Sequence, residues 1–248
     1  MILEQEKIAQ FVARGALFYV SHSGGKDSQA MYSEIRRFVP DAQIIAVHAD
    51  LGEIEWTGVQ DHIRATIAHR LHVVSAGKTF FEMVEQRAKT RPDVPSWPSS
   101  ATRQCTSDLK RNPIHKFIRN DMKLRGATLA LNCTGIRSEE SPSRAKKEPL
   151  KINAVLSKAG REVYEYMPIH HLTTQHVFAI IKNAEQKPFW AYEGNERLSC
   201  VFCIMGCSRD LKHGANQRPD LYQKYLDLEE STGWTMFNGK SLRQRIEE

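Results

Sequence analysis

The chain has 248 residues, a hydrophobic content of 41%, a formal net charge of +6 and a pI of about 9.1. This length suits one large or two small domains with an ordinary apolar core. No apolar run approaches the roughly 18 residues of a membrane span, and the N-terminus lacks a basic-then-apolar signal pattern. We therefore expect a cytoplasmic protein without membrane association. The basic balance suits a phosphorylated ligand or nucleic acid, although a solvated basic surface explains it equally well.

Strands and helices alternate along the first half of the sequence. In chain order we expect a helix at 3–14, a strand at 16–21, a helix at 27–38, a strand at 43–48, a helix at 57–70, a strand at 71–74, a helix at 79–88, a loop at 91–104, a helix at 107–125 and a strand at 127–132. This alternation predicts an α/β fold with a doubly wound parallel sheet. Ligands of such sheets bind beyond the carboxyl ends of the strands.

The second half of the sequence has a different pattern. Residues 138–162 are polar and basic, and we expect them to form a mobile loop over the site. Helical periodicity returns at 173–184, followed by helical segments around 206–215 and 219–232. We therefore predict an α/β domain over residues 1–165 and a smaller helical region over residues 166–248.

A short polar segment follows the first predicted strand. Residues 21–28 read Ser-His-Ser-Gly-Gly-Lys-Asp-Ser and lead directly into a helix. A strand, a turn of small residues and a helix N-terminus together make an anion site, which the Lys26 ammonium and the Ser23 and Ser28 hydroxyls supplement. The Walker A pattern does not fit, because Asp27 separates the lysine from the serine. A Gly-Gly surface turn with solvated charges is the alternative interpretation.

Three of the five cysteines lie close together in the sequence, at Cys200, Cys203 and Cys207. Structural disulfides are rare in the cytoplasm, and clustered soft thiolates favour an iron–sulfur cluster or zinc. Buried reduced thiols are the alternative, because free cysteine is commonly buried. Cys133, at the end of a predicted strand, is interpreted as a buried thiol, with a persulfide carrier as the alternative.

Several motifs point to one known family. Ser-Gly-Gly-Lys-Asp-Ser at 23–28 resembles the PP-loop of the ATP pyrophosphatase superfamily, whose members cut ATP between the α and β phosphates. Further stretches are similar to motifs of its phosphoadenosine phosphosulfate (PAPS) reductase branch. They are Ala-Val-His-Ala-Asp-Leu-Gly at 46–52, Arg-Gln-Cys-Thr-Ser-Asp-Leu-Lys at 103–110, Gly-Ile-Arg-Ser-Glu-Glu-Ser-Pro-Ser-Arg at 135–144, and the Tyr-x-Gly-x-x-Arg-x-x-Cys-x-x-Cys pattern at 192–203. The resemblance spans residues 15–210 and implies a Rossmann-like fold of the adenine nucleotide α-hydrolase type.

The resemblance implies ATP and Mg²⁺ as ligands of the α/β domain. The nucleotide-binding residues that we expect are Ser21, Ser23, Gly24, Gly25, Lys26, Asp27, Ser28, His48, Asp50, Gly135 and Arg137. The expected catalytic residues are Lys26, Asp27, Arg137 and Arg144. Lys26 would neutralise the departing pyrophosphate, and the two arginines suit bidentate phosphate contacts. Asp27 is interpreted as a helix N-terminal carboxylate or a magnesium ligand, and Asp50 as a magnesium or ribose ligand or a turn cap.

The resemblance also implies that Cys105 joins the clustered cysteines. We expect a 4Fe-4S cluster held by Cys105, Cys200, Cys203 and Cys207, or a three-cysteine cluster in which Cys207 is spare. Zinc and reduced thiols stay open as alternatives.

The closer resemblance within the family is to phage and bacterial members and to the DNA phosphorothioation sulfurtransferase. It implies an ATP pyrophosphatase-type, AMP-forming sulfurtransferase. Nucleic acid, either DNA or tRNA, is the expected acceptor, a cysteine desulfurase the expected sulfur donor, and a homo-oligomer the expected assembly. Sulfonucleotide reduction is the first alternative, which the lack of a cysteine after Cys207 disfavours. A non-catalytic nucleotide-binding subunit of a defence or modification complex is the second.

Overall fold

The computed structural model describes the backbone of residues 2–248 and the side chains of residues 5–248. The helices are α1 (Ile2–Ala13), α2 (Lys26–Ile35), α3 (Val59–Thr66), α4 (Phe80–Thr90), α5 (Gln104–Thr106), α6 (Asn112–Arg125), α7 (Pro142–Ala145), α8 (Thr174–Asn183), α9 (Ser208–Gln217), α10 (Pro219–Thr232) and α11 (Leu242–Glu247). A π-helical turn, Ser107–Arg111, joins α5 to α6. The strands are β1 (Leu17–Ser21), β2 (Ile44–Asp50), β3 (Leu71–Ser75), β4 (Leu129–Cys133), β5 (Leu150–Ile152) and β6 (Glu162–Tyr166).

The six strands form one sheet in the order β3-β2-β1-β4-β6-β5. β1 pairs in parallel with β2 and β4, and β4 pairs in parallel with β6. β5 is the antiparallel edge strand and pairs with β6. β1 and β4 read as continuous buried apolar runs because both of their faces are covered.

Separate apolar cores cover the two faces of the sheet. Phe18 and Val20 of β1 pack with residues of α1, α2 and α8 on one face. Tyr19 of the same strand packs with Ile118 and Met122 of α6 on the other. Alternate residues of a strand point to opposite faces, so a single apolar strand supplies both cores. The predicted doubly wound α/β fold is confirmed.

Residues 138–162 were expected to form a mobile loop over the site. The expectation of a loop is wrong, because this segment contains α7 and β5 and leads into β6. β6 was not predicted as a strand. It reads Glu-Val-Tyr-Glu-Tyr, so its polar residues hide the apolar pattern that marks β1 and β4.

The chain forms two compact units. The first comprises the chain up to Ala49 together with Gly58–Val74 and Ile114–Phe189, and the second comprises Asp50–Thr57, Ser75–Pro113 and Trp190–Glu248. This division differs from the sequence-based boundary at 165–166, because α8 belongs to the first unit and Ser75–Pro113 to the second. Among the described residues, none of the helices is both long enough and apolar enough to cross a membrane.

Candidate active site

The segment between β1 and α2 is built around an open helix N-terminus. Gly24 adopts a left-handed conformation, with φ of +77°, and Gly25 is the N-cap of α2 without a side-chain hydrogen bond to the helix. The first amides of a helix have no partner inside the helix, and the helix dipole favours an anion at this end. The geometry therefore suits a phosphate group at the first turn of α2.

The loop preceding α2 is held by its own hydrogen bonds. The Ser28 hydroxyl donates to the Gly25 carbonyl at 2.8 Å and accepts from the Ser23 amide at 3.2 Å. The Gly24 amide donates to Nδ1 of His22 at 3.1 Å. The amides of Ser23 and Gly24 are thus engaged within the loop. The anion-binding role of residues 23–28 stays a prediction.

Four charged side chains form a chain of ion pairs beside this turn. The Lys26 Nζ lies 3.0 Å from the Asp27 carboxylate, and the Arg137 Nε lies 2.7 Å from it. Arg137 also pairs with Glu139 at 2.6 Å. Burial opposes the charge on Arg137, but Asp27 and Glu139 outweigh that effect and raise its pKa. The Arg137 side chain is 3% exposed, and its guanidinium also donates to Thr174.

These pairs give Asp27 and Arg137 an observed structural role. Asp27 lies in the first turn of α2, as a helix N-terminal carboxylate should, and Arg137 fixes it from the loop after β4. Arg144 pairs with Glu140 and is a quarter exposed. Phosphate contacts by the two arginines and magnesium binding by Asp27 stay predictions.

Gly135 provides the close approach that this arrangement requires. A Cβ at position 135 would lie 2.9 Å from the backbone carbon and oxygen of Asp27 and 3.1 Å from the Ser28 nitrogen. Real Cβ atoms do not come this close to backbone, so only glycine lets the loop after β4 contact the start of α2.

His48 and Asp50 of β2 have different environments. His48 is 1% exposed, and its Nδ1 lies 2.9 Å from the His22 carbonyl, to which it donates. Asp50 belongs to the second unit, where its Oδ1 accepts from the Gly52 amide at 2.8 Å. That contact is the turn cap considered from the sequence. Asp50 and Gly52 also line a cavity of about 250 Å³ with Lys78 and Glu82.

Sequence reasoning missed a buried polar network at the carboxyl ends of β1, β4 and β6. The Ser21 hydroxyl donates to Asn132 at 3.3 Å, and the Asn132 amide donates to both oxygens of Glu165 at 3.1 Å. His115 lies 3.9 Å from the same carboxylate. Burial raises the pKa of Glu165 although the amides of Asn132 and Asn153 act against it. Only strand pairing brings these residues together, so the sequence carries no local signal for them.

In the second unit, Cys105 and the Cys200–Cys203 pair influence one another electrostatically. The hydrogen bond from the Cys200 thiol lowers the pKa of Cys203 to about 6, with help from the Met205 amide and Lys110 and against the effect of burial. The same bond raises the pKa of Cys200. Burial raises the pKa of Cys105, Lys110 opposes that effect, and the charge of Cys203 adds to it. The resulting thiol group consists of Cys105, Cys200 and Cys203.

The other two cysteines lie outside this group. Cys207 is the N-cap of α9, and the largest effects on the other three thiols come from one another, from burial and from neighbouring groups such as Lys110. Cys133 is fully buried in β4, as its interpretation as a buried thiol requires, and burial raises its pKa.

The thiol group fits a soft metal or cluster by the chemistry of its donors. Among the side chains of residues 5–248, however, no group of three or more histidine, cysteine or acidic residues is arranged to hold a metal ion. The four-cysteine 4Fe-4S site therefore gains no support from the geometry and stays a prediction.

Comparison with known proteins identifies the family. The sequence matches the phosphoadenosine phosphosulfate reductase domain over residues 18–205, and no curated protein matches it. One similar solved structure is that of PAPS reductase from Candida auris in a phosphate complex. It shares 15% identity over 73% of this chain and 81% of that chain, with a TM-score of 0.44. Because the domain match covers most of the chain and includes the open end of α2, the chain belongs to the PAPS reductase family of the PP-loop superfamily.

Proposed function

We propose that the protein is an AMP-forming, ATP pyrophosphatase-type sulfurtransferase that adenylates an acceptor before sulfur is incorporated. The observation that carries this proposal is the N-terminus of α2, which has no side-chain cap and has Lys26 in its first turn. That combination of helix amides and a cation suits a pyrophosphate leaving group.

The proposed reaction has two steps. An acceptor oxygen attacks the α phosphorus of ATP, an O–P bond forms, and the bond to the bridging oxygen breaks as pyrophosphate leaves. A sulfur nucleophile then attacks the activated centre, and AMP leaves with the acceptor oxygen. Phosphoryl transfer depends mainly on positioning and charge neutralisation, which the α2 amides and Lys26 supply at the leaving group.

Arg137 and Asp27 have a positioning role in this proposal. Arg137 holds Asp27 at 2.7 Å, and Asp27 in turn pairs with Lys26 at 3.0 Å. This connection fixes the direction of the first turn of α2 before the nucleotide arrives. Contacts of Arg137 and Arg144 with phosphate, and of Asp27 or Asp50 with Mg²⁺, form part of the same proposal.

The thiol group is proposed as the sulfur-handling part of the protein. The lowered pKa of Cys203 favours its thiolate, and thiolate is the nucleophilic and metal-binding form of cysteine. We propose Cys105, Cys200 and Cys203 as ligands of an iron–sulfur cluster, with Cys207 spare. When bound, such a cluster would supply electron transfer or an iron site for sulfur.

Reduction of a sulfonucleotide is the second candidate, because the chain matches the PAPS reductase domain itself. In that reaction a thiolate attacks the sulfonate sulfur, the sulfur–oxygen bond to the nucleotide breaks, and a second thiol releases sulfite as a disulfide forms. The Cys200–Cys203 pair supplies two thiols of suitable spacing.

The two candidates differ in the product released. Purified protein is incubated anaerobically either with ATP and Mg²⁺ or with PAPS or adenylyl sulfate and a dithiol, and pyrophosphate and sulfite are measured. The sulfurtransferase proposal predicts pyrophosphate and AMP from ATP in the presence of an acceptor, without sulfite. Sulfite release without ATP cleavage would establish the reductase instead, and tight ATP binding without turnover would favour a nucleotide-binding subunit.

The acceptor and the sulfur donor are proposed from the charge and the family alone. DNA or tRNA suits the net charge of +6, and a cysteine desulfurase is the proposed donor. Anaerobic mass spectrometry of co-purified nucleic acid tests the first, and transfer of labelled sulfur from a desulfurase to the protein tests the second.

A further inference from the structure

Residues 21–28, between β1 and the first turn of α2, are called the phosphate loop after their predicted ligand. His22 lies in this loop and is held by hydrogen bonds to the neighbouring strand. It is 2% exposed, and its amide donates to the Val47 carbonyl at 2.8 Å. Its carbonyl accepts from Nδ1 of His48 at 2.9 Å. The amide and the carbonyl of His22 are therefore both hydrogen-bonded to residues of β2. These bonds fix the point from which the imidazole ring projects.

The hydrogen bonds around the ring determine which nitrogen carries the proton. The Gly24 amide can only donate, and it lies 3.1 Å from Nδ1 of His22. The Ser28 hydroxyl lies 3.4 Å from the same nitrogen, but it donates to the Gly25 carbonyl at 2.8 Å. A proton on Nδ1 would face the Gly24 amide hydrogen, so Nδ1 is the acceptor and the proton is on Nε2.

The same arrangement keeps the ring neutral. Burial, together with His48 and His62, lowers the pKa of His22 to about 3. In the described part of the chain, Nε2 is buried without a hydrogen-bond partner. A buried donor without a partner costs stability, so the hydrogen bond at Nδ1 and the packing around the ring hold it in this position.

We propose that neutral His22 is a positioning residue that sets the shape of the phosphate loop by accepting the Gly24 amide. This bond supports the left-handed conformation of Gly24, at φ of +77°, and commits its amide to the ring. The anion is then left to the first amides of α2. The expected effect on ligand binding rests on the proposed function of the loop. The hydrogen bond itself can be observed without ligand.

The first experiment observes the ring directly. In protein labelled with ¹⁵N-histidine, long-range ¹H–¹⁵N correlation near neutral pH should show an unprotonated Nδ1 and a protonated Nε2 for His22. The Gly24 amide should exchange slowly with solvent, and exchange should become faster in His22→Phe. A protonated Nδ1, or Gly24 exchange that His22→Phe does not change, overturns the proposal whatever the protein's activity is.

The second experiment measures the binding of inorganic pyrophosphate by calorimetry. His22→Phe keeps a ring but loses the acceptor, and it should weaken binding by about 10-fold. His22→Asn, whose Oδ1 can replace Nδ1 as acceptor, should restore affinity to within about 3-fold. His62→Phe removes a half-buried imidazole that packs on Phe189 and should leave affinity unchanged.

These variants distinguish positioning from packing. Equal losses of affinity in the two His22 variants and in His62→Phe, with matching losses of melting temperature, would mean that His22 only fills space and would overturn the proposal. If the wild type binds no pyrophosphate, the proposed function fails, and the tautomer and the Gly24 exchange rate still decide the role of His22.

Discussion

The phosphate loop of the first unit and the thiol group of the second unit are organised in different ways. The loop stands on buried parallel strands, and His22, Ser28 and Arg137 hold its backbone and charges through hydrogen bonds of 2.7–3.1 Å. The thiols lie on an irregular segment before α9 and near the π-helical turn before α6. Their hydrogen bonds are weak sulfur contacts, such as the bond from the Met205 amide to the Cys203 Sγ at 3.4 Å.

The comparison indicates that the two sites differ in preorganisation. A backbone site can be complete before its ligand binds, since its donors are fixed by the sheet and the helix. Thiolates that lie close enough to influence one another repel. This repulsion is removed only when thiolates are protonated or when a cation binds to them. We therefore expect the loop to keep its shape without ligand and the thiol group to depend on what it binds.

Replacement of Cys203 should have the largest effect, because it removes a proposed ligand of the bound iron. The anaerobically purified wild type should be brown and contain iron, and Cys203→Ser should lose the iron entirely, since thiolate is the ligand form. Cys207→Ser is the matched control and should retain iron, because Cys207 lies outside the thiol group. Iron analysis and visible absorbance measure both. A colourless wild type containing zinc would contradict the cluster.

Removal of the Lys26 ammonium tests the preorganised site. Lys26→Ala should reduce pyrophosphate release from ATP by about 100-fold, because the charge on the leaving group loses its cation. Lys158→Ala, which changes an exposed lysine of the same unit, is the control and should retain full activity. Unchanged turnover in Lys26→Ala would place the phosphates elsewhere.

Breaking the buried ion pair should destabilise the first unit. Arg137→Met leaves Asp27 and Glu139 without their shared partner and should lower the free energy of unfolding by about 3 kcal/mol. Arg144→Met breaks a more exposed pair and should cost about 1 kcal/mol or less. Urea denaturation compares the two. Equal effects would mean that the Arg137 network is no more important than a surface pair.

The close approach at Gly135 can be tested with a single methyl group. Gly135→Ala places a Cβ 2.9 Å from the Asp27 backbone, so the loop after β4 must move away from α2, at a cost of about 2 kcal/mol. Gly77→Ala adds the same methyl where nothing lies within 4 Å and should be almost neutral. Thermal unfolding measures both, and a wild-type melting temperature in Gly135→Ala would show that the contact is dispensable.

Acid should destabilise the protein through His22, and the loss over a single pH unit is the smallest of these effects. Its pKa is about 3 in the folded protein and 6.5 as the ordinary value, so the unfolded chain binds more protons between these pH values. Stability should therefore fall as the pH decreases through this range, by about 1 kcal/mol per pH unit from this residue. His62 and His72, whose pKa values burial also lowers, add to the loss in the same direction.

Denaturation at several pH values measures this slope. His22→Phe should flatten it relative to the wild type, because phenylalanine cannot take up the proton. A slope that is the same in both proteins would place the proton uptake at other residues.

The sequence predicted the site better where the signal is local. Ser-Gly-Gly-Lys-Asp-Ser predicted a phosphate loop because the turn, the helix start and the lysine are contiguous, and the apolar runs of β1 and β4 predicted the parallel sheet. β6 escaped prediction because its glutamates form polar contacts with Asn132 and Arg14, and Tyr164 donates to Glu162 within the strand. Such partners appear only when the strands pair.

The amino-acid sequence by itself determined the family and the parallel α/β sheet, and it predicted the position of the phosphate loop, because these depend on neighbouring residues and on the alternation of apolar segments. Tertiary structure alone decided that Arg137 pairs with Asp27 across 110 residues of chain, that the charge of Cys203 acts on Cys105, and that the His22 ring accepts a loop amide. Each of these features depends on burial and on the distances between residues of separate strands or segments. Burial and these distances determine which groups are charged and where a proton lies, and neither has a local pattern in the sequence.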